Sequence, residues 1–140
     1  MKKTATLCAT GAFLLAPASA LAMNIQQQGQ IVNDDATSVK LRVKVSGGTP
    51  KKVGGFKAKN VMVRCDDGPS RIDFTALTPV NVKGDNGFGV RLSDGHGGIL
   101  RITGEVKAHG RATVGSLKTN DFKSGKTTCK APKQKFKTSA

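Results

Sequence analysis

Few residues of this chain combine types and spacing that could support catalysis. Asp94-x-His96 places a carboxylate two positions from an imidazole, the pair that activates a serine in a catalytic triad. Gly95 and Gly97 flank the histidine, no nucleophile-elbow motif accompanies the pair, and glycine and aspartate are typical of turns. We therefore expect an exposed turn, no catalytic residues and a non-enzymatic protein. A hydrolase built on Asp94 and His96 is kept as a third hypothesis.

The patterns also argue against a metal site or a cofactor. His96 and His109 have no cysteine or glutamate at the spacing of zinc ligands. Residues 84–89 are rich in glycine but lie between two alternating segments, whereas a dinucleotide fingerprint must open a helix. Asn86-Gly87 predicts a hairpin turn there instead. We expect neither a metal nor a cofactor.

The first residues have the pattern of a secretory signal peptide. Lys2 and Lys3 precede a short apolar run, and two overlapping Ala-x-Ala motifs end at Ala20 and Ala22. The apolar run is shorter than the roughly 20 residues that span a membrane. We predict a signal peptide over residues 1–22, cleaved after Ala20 or Ala22, and no transmembrane segment. The mature protein would then be secreted or associated with the cell envelope.

Removal of this leader would leave two of the three cysteines, Cys65 and Cys129. An even pair in an oxidising compartment predicts one disulfide bond. Because the closed loop is long, loop-closure entropy would contribute about 4 kcal/mol in the chain-entropy model. That contribution matters in a chain that has no Trp and no Tyr to build its core.

The rest of the chain has the period of β-strands and no helical period. In residues 38–45, four aliphatic residues alternate with Lys40, Arg42 and Lys44, which predicts one buried and one solvated face. Residues 60–65 predict a strand that carries Cys65 and ends in the turn signal Asp66-Asp67-Gly68-Pro69. About eight such strands predict an all-β, antiparallel meander, folded as a β-sandwich or a small barrel.

Composition divides the mature chain into two parts. Residues 23–37 are polar and rich in glutamine without a period, so we predict a flexible N-terminal segment. Residues 38–140 have the size of a single domain. We expect a monomer.

Basic residues are the compositional feature with the greatest functional weight. The chain has 23 basic and 9 acidic residues, and loss of Lys2 and Lys3 with the leader would leave 21 basic residues. If they share one side of the protein, their field would concentrate polyanions. The alternative is a solvated surface that resists aggregation. The candidate polyanion-binding residues are Lys40, Arg42, Lys44, Lys51, Lys52, Lys57, Lys59, Lys133, Lys135 and Lys137.

The missing Trp and Tyr limit the kinds of partner. Specific single-stranded nucleic-acid binding and sugar stacking both use exposed aromatic side chains. We therefore expect no specific nucleic-acid partner. The leading hypothesis is a basic protein that associates electrostatically with an anionic cell-wall polymer, a polysaccharide or another polyanion of the cell envelope or extracellular space. The alternative is a secreted protein-binding module, such as a hydrolase inhibitor or a host-interaction factor.

Three segments together resemble small exported domains of unknown function from actinobacterial secretomes. They are Phe56-Lys57-x-Lys59-Asn60-Val61-x-Val63-x-Cys65-Asp66-Asp67-Gly68-Pro69, then residues 97–106, and then Cys129 followed by a short Lys-x-Phe-Lys strand. The resemblance covers about residues 51–137. It implies a β-rich exported fold with one disulfide bond and no catalytic residues to transfer. Such proteins often close with a Trp strand, where this chain has Phe136.

Overall fold

The computed structural model describes residues 22–140, which form an all-β protein. Its strands are β1 (Ala22–Ile31), β2 (Asp34–Ser46), β3 (Thr49–Cys65), β4 (Gly68–Ala76), β5 (Val80–Asn81), β6 (Gly87–Ser93), β7 (Ile99–Lys107), β8 (Ala112–Thr119), β9 (Phe122–Ser124), β10 (Thr127–Lys130) and β11 (Gln134–Ser139). A 3₁₀ turn at Ala108–Gly110 joins β7 to β8. No helix within residues 22–140 has the length and apolar character that crossing a bilayer requires. The predicted signal peptide lies outside the described residues except for Ala22.

The strands form one antiparallel sheet in the order β6-β7-β8-β11-β1-β2-β3-β10-β9, and β4 and β5 also pair with β3. The predicted antiparallel all-β fold is confirmed, and the sheet is not closed into a barrel. The described part has eleven strands rather than about eight; β1 falls in the segment predicted to be flexible, and β9 is a strand of three residues. The meander is interrupted where β11 inserts between β8 and β1.

The predicted hairpin around Asn86-Gly87 is only half correct. The turn is present, since the Lys83 amide donates to the Gly87 carbonyl at 2.8 Å and Asn86 has a φ of 66°. The strand before the turn, β5, pairs with β3 rather than with β6. A turn motif fixes the local reversal of the chain, but side-chain burial decides which strand becomes the neighbour.

The predicted flexible segment over residues 23–37 is corrected by the structure. Residues 22–31 form β1, which pairs with β2 along one edge and with β11 along the other. Gln27 is buried inside this strand: its Nε2 donates to the Gly110 carbonyl at 2.7 Å, and its Oε1 accepts from the Thr138 hydroxyl at 2.7 Å. A buried polar residue with both ends paired costs little. Because Gln27 is polar, however, the inward residues of β1 do not show the apolar alternation that identifies a strand in the sequence.

One main core lies inside the curved sheet and draws on strands from both halves of the chain. The rings of Phe56 and Phe136 meet edge to face with centroids 5.6 Å apart. Phe136, the apolar anchor of the last strand, stands opposite Gly115 in the register. A Cβ atom at Gly115 would lie 2.6 Å from that ring, so the absence of a side chain there lets the aromatic ring fill the core.

The predicted disulfide between Cys65 and Cys129 is confirmed. The two residues stand directly opposite each other at the junction of β3 and β10, and that junction comprises only two residue pairs. The short β9–β10 hairpin contributes Phe122, whose ring lies 6.1 Å from that of Phe74. The covalent bond therefore holds a small hairpin to the sheet that backbone pairing alone would hold weakly.

We expect the Cys65→Ala/Cys129→Ala double variant to be less stable than the wild type by about 4 kcal/mol in the chain-entropy model, because the cysteines are 64 positions apart. Thermal unfolding followed by circular dichroism measures the effect. A reductant should lower the melting temperature of the wild type and leave that of the double variant unchanged. An unchanged wild-type melting temperature under reduction would contradict the pairing.

We expect Gln27→Leu to lower stability by about 1–3 kcal/mol, because two buried partners lose their hydrogen bonds. The matched control is Gln28→Leu, since Gln28 is the exposed neighbour on the same strand and surface changes are usually worth within about 0.5 kcal/mol. Urea midpoints of the two variants give the comparison. Equal midpoints would refute the structural role of Gln27.

Candidate polyanion-binding face

The cations of β2 lie on the outer surface of the sheet. Lys40, Arg42 and Lys44 are exposed, while the four alternating aliphatic residues of the same strand are buried. Successive outward residues of a strand lie about 6.6–6.8 Å apart. The strand therefore presents three positive charges in a straight row, as the alternation predicts.

The next strand, β3, adds further positive charge beside this row. Lys57 stands directly opposite Lys40, and Lys52 stands directly opposite Lys44. Directly opposed like charges in a sheet destabilise it. The pairs persist because the aliphatic side chains beneath them are buried.

Arg42 has no cation opposite it, because the residue that faces it on β3 is Gly54. The next residue, Gly55, lies in a bulge of β3 with a φ of 61°, a backbone conformation that favours glycine. The Arg42 guanidinium carbon lies 3.7 Å from the position that a Gly55 Cβ would occupy. The guanidinium group therefore lies close to the backbone of Gly55.

On the other side of β2, strand β1 presents three amide side chains in register with the three cations. Asn24 stands opposite Lys44, Gln26 opposite Arg42 and Gln28 opposite Lys40. We call the surface formed by these eight residues the amide–cation face. Its members are Asn24, Gln26, Gln28, Lys40, Arg42, Lys44, Lys52 and Lys57.

These amides are absent from the predicted set because they lie in residues 23–37, for which the sequence predicts a flexible segment. A weak signal was present: polar residues recur at every second position from Asn24 to Gln30, and Ile25 and Ile31 have the opposite parity. The polar Gln27 and the side-chain-free Gly29 between those isoleucines obscure the apolar face.

Two open hollows indent the amide–cation face along β1 and β2. One, of about 320 Å³, is lined by Asn24, Arg42, Lys44 and Lys52 over a floor of Gly54 and Pro79. The other, of about 430 Å³, is lined by Gln26, Gln27, Gln28, Lys40 and the C-terminal residues Ser139 and Ala140. Each hollow combines amide side chains with at least one cation.

The cations of this face have no ion-pair partner in the described part of the chain. Ion pairs within residues 22–140 join Arg71 to Asp34 at 3.0 Å and Lys107 to Glu105 at 3.6 Å. Neither involves the amide–cation face. Its charge is therefore balanced by mobile counterions, which a polyanion could displace.

The other predicted candidates lie apart from the cation row or at its margin. Lys59 stands opposite Ser38 near the start of β2, and Lys51 lies in a second bulge of β3, between Pro50 and Lys52. Lys133, Lys135 and Lys137 belong to the β11 side, which β1 separates from β2. These three lysines line a different open hollow of about 680 Å³, together with Thr103, Ser116 and Glu105. The ten predicted residues therefore do not form a single row.

A further basic site was absent from the predicted set. Arg101 of β7 stands directly opposite Lys118 of β8. With Lys130 and Asn120 they line a hollow of about 300 Å³. In the sequence, Arg101 and Lys118 are 17 positions apart, so only strand pairing brings their charges together.

Asp94 and His96 lie in the turn between β6 and β7. The Asp94 carboxylate accepts hydrogen bonds from the backbone amides of His96 at 2.7 Å and Gly98 at 3.0 Å. This arrangement stabilises the turn, and the exposed turn predicted for the pair is present. Within residues 22–140, no three His, Cys, Asp or Glu side chains cluster as metal ligands would.

An apolar cleft of about 170 Å³ lies between β4 and the edge strand β6, and residues of β7 and β9 also line it. Phe74, Leu92, Leu100 and Phe122 contribute to its walls. Leu92 is 43% exposed. This cleft offers apolar contacts to a partner.

No protein-family model, curated protein or solved structure matches the chain. The resemblance to exported actinobacterial domains is untested and stays a prediction.

We expect Lys57→Glu to stabilise the protein by about 0.2–1 kcal/mol at low salt, because it places an opposite charge beside Lys40. The control is Lys126→Glu, which makes the same charge change at an exposed turn. Urea unfolding at low and high salt measures both variants. The difference between them should shrink as salt screens the charges. A destabilised Lys57→Glu protein at low salt would contradict the proposed repulsion.

Proposed function

We propose that this chain is an exported, non-enzymatic basic β-protein that associates electrostatically with polyanions of the cell envelope or extracellular space. The observation that carries the proposal is the amide–cation face, where like charges stand in register and no ion pair within the described residues neutralises them. Such an arrangement costs stability. A polyanion would relieve that cost by bringing in several negative charges at once.

The types of cation indicate the mode of binding. The face carries four lysines and one arginine. Lysine is a compact, strongly hydrated point charge, whereas arginine suits bidentate recognition of phosphate or carboxylate. A row dominated by lysine favours attraction to a polymer with distributed charge over recognition of a single anionic group.

The proposed location agrees with the disulfide bond. Disulfides form and persist in oxidising compartments outside the cytosol. The bond between Cys65 and Cys129 therefore favours a location in such a compartment. The predicted leader gives the route of export. Polyanions accessible there include wall polymers, acidic polysaccharide and anionic lipid headgroups.

We expect the variant Lys40→Gln/Arg42→Gln/Lys44→Gln to bind heparin about threefold to a hundredfold more weakly than the wild type. Exposed ion pairs are each worth roughly 0.2–1 kcal/mol, and 1.4 kcal/mol corresponds to a factor of ten. Binding of the wild-type protein should weaken steeply between low and moderate salt. Isothermal titration calorimetry over a range of salt concentrations measures both effects.

The matched control is Lys133→Gln/Lys135→Gln/Lys137→Gln, which removes the same number of charges from the β11 side. We expect a smaller loss of affinity from this control. Equal losses of affinity in the two variants would show that net charge, rather than the amide–cation face, causes the attraction. Binding that resists high salt would refute the electrostatic function itself.

A protein-binding module is the second candidate, and one observation favours it. The apolar cleft between β4 and the edge strand β6 presents Leu92 and two phenylalanines. Apolar surface of this kind is typical of partner sites. A hydrolase inhibitor or host-interaction factor would use it, and its binding would persist at high salt.

A further inference from the structure

We propose that the amide–cation face binds acidic polysaccharide, the class of polyanion that carries hydroxyl groups as well as charge. This inference rests on the proposed function and adds the ligand class. Its basis is a repeated unit: an amide of β1 beside a cation of β2, present three times in register as Asn24–Lys44, Gln26–Arg42 and Gln28–Lys40.

The geometry of the repeat suits a linear polymer. Directly opposed side chains have Cβ atoms about 4.5–5.5 Å apart, so the amide and the cation of one unit can contact the same sugar residue or adjacent ones. Successive units lie about 6.6–6.8 Å apart along the strands. The three units therefore form a straight, regular track parallel to β1 and β2.

The chemistry of the repeat matches two features of one ligand. The cation attracts a carboxylate or sulfate group. The amide offers both a donor and an acceptor, which a sugar hydroxyl can use together. A bare polyphosphate presents acceptors only, so it would use the cations and half of each amide's capacity.

The three amides are available for this role. No side-chain hydrogen bond engages Asn24, Gln26 or Gln28 among the described residues, whereas the buried Gln27 between them uses both ends of its amide. All three are exposed, and they line the two hollows of the face. The amides that point outward are thus free while the inward one is part of the fold.

The absence of aromatic stacking sets the expected mode of binding. The chain has no Trp and no Tyr, and sugar recognition by rings depends on such side chains. Each amide–cation unit therefore binds weakly, and affinity must come from several units engaged by one chain. We expect affinity to increase with oligosaccharide length until the three units are filled.

The test compares two polymers and one triple variant of the mature protein. Asn24→Ala/Gln26→Ala/Gln28→Ala removes the amides and keeps every cation. We expect its affinity for polygalacturonate to fall roughly fivefold or more, while its affinity for polyphosphate changes little. Biolayer interferometry at fixed low salt measures both, and circular dichroism checks the fold.

Gln30→Ala is the matched control. Gln30 is an exposed amide on the same strand, but the cation opposite it is Lys137 of β11, so this single pair lies outside the three units of β1 and β2. We expect this variant to lose less affinity for polygalacturonate than Gln26→Ala does. If the triple variant unfolds, the single variant Gln26→Ala replaces it. We expect that variant to lose less affinity for polygalacturonate than the triple variant would, and to keep its affinity for polyphosphate.

The outcomes separate this inference from the function on which it rests. Unchanged binding of both polymers by the triple variant would overturn the role of the amides and leave the polyanion function standing. An equal loss for both polymers would also overturn it, since the amides would then not distinguish hydroxyl-bearing chains. Failure of the wild-type protein to bind either polymer would refute the proposed function itself.

Discussion

Strand β2 is paired along both edges, and this pairing determines the position of the core and of the surface charge. Backbone hydrogen bonds to β1 and β3 fix the register of β2. Because side chains alternate, a slip of one residue would bury its cations and expose its aliphatic residues. The same pairing therefore fixes the core beneath the sheet and the charge above it. It also carries the amides of β1 to one side of the cations and the lysines of β3 to the other.

The buried aliphatic face of β2 stabilises the protein by more than the repulsion between cations on its exposed face destabilises it. Full burial of an aliphatic side chain contributes about 1.5–3 kcal/mol, and β2 buries Val39, Leu41, Val43 and Val45. A directly opposed pair of like charges costs only about 0.2–1 kcal/mol. The core therefore outweighs the repulsion, and the remaining unfavourable energy is what a bound polyanion would lower. The disulfide bond adds to this margin in a chain without Trp or Tyr.

Local patterns predicted some elements well and others poorly, for identifiable reasons. Strand β2 is clear in the sequence because four of its buried residues are aliphatic and alternate with three outward charges. Strand β1 was missed because the buried Gln27 is polar, and only its distant partners Gly110 and Thr138 make that burial favourable. The candidate lysines were identified as a set from composition. Their division between the β2–β3 surface and β11 depended on strand order.

Alternation and the count of cysteines outside the predicted leader are local or countable properties, so they are sufficient to predict the all-β class, the disulfide pair and the two faces of β2. Which strands are neighbours follows from long-range packing. That packing places β11 between β8 and β1, joins β5 to β3, and sets Asn24, Gln26 and Gln28 beside the cations of β2. The physical reason is that neighbour choice depends on the shared core, where side chains far apart in the chain must fill one volume together.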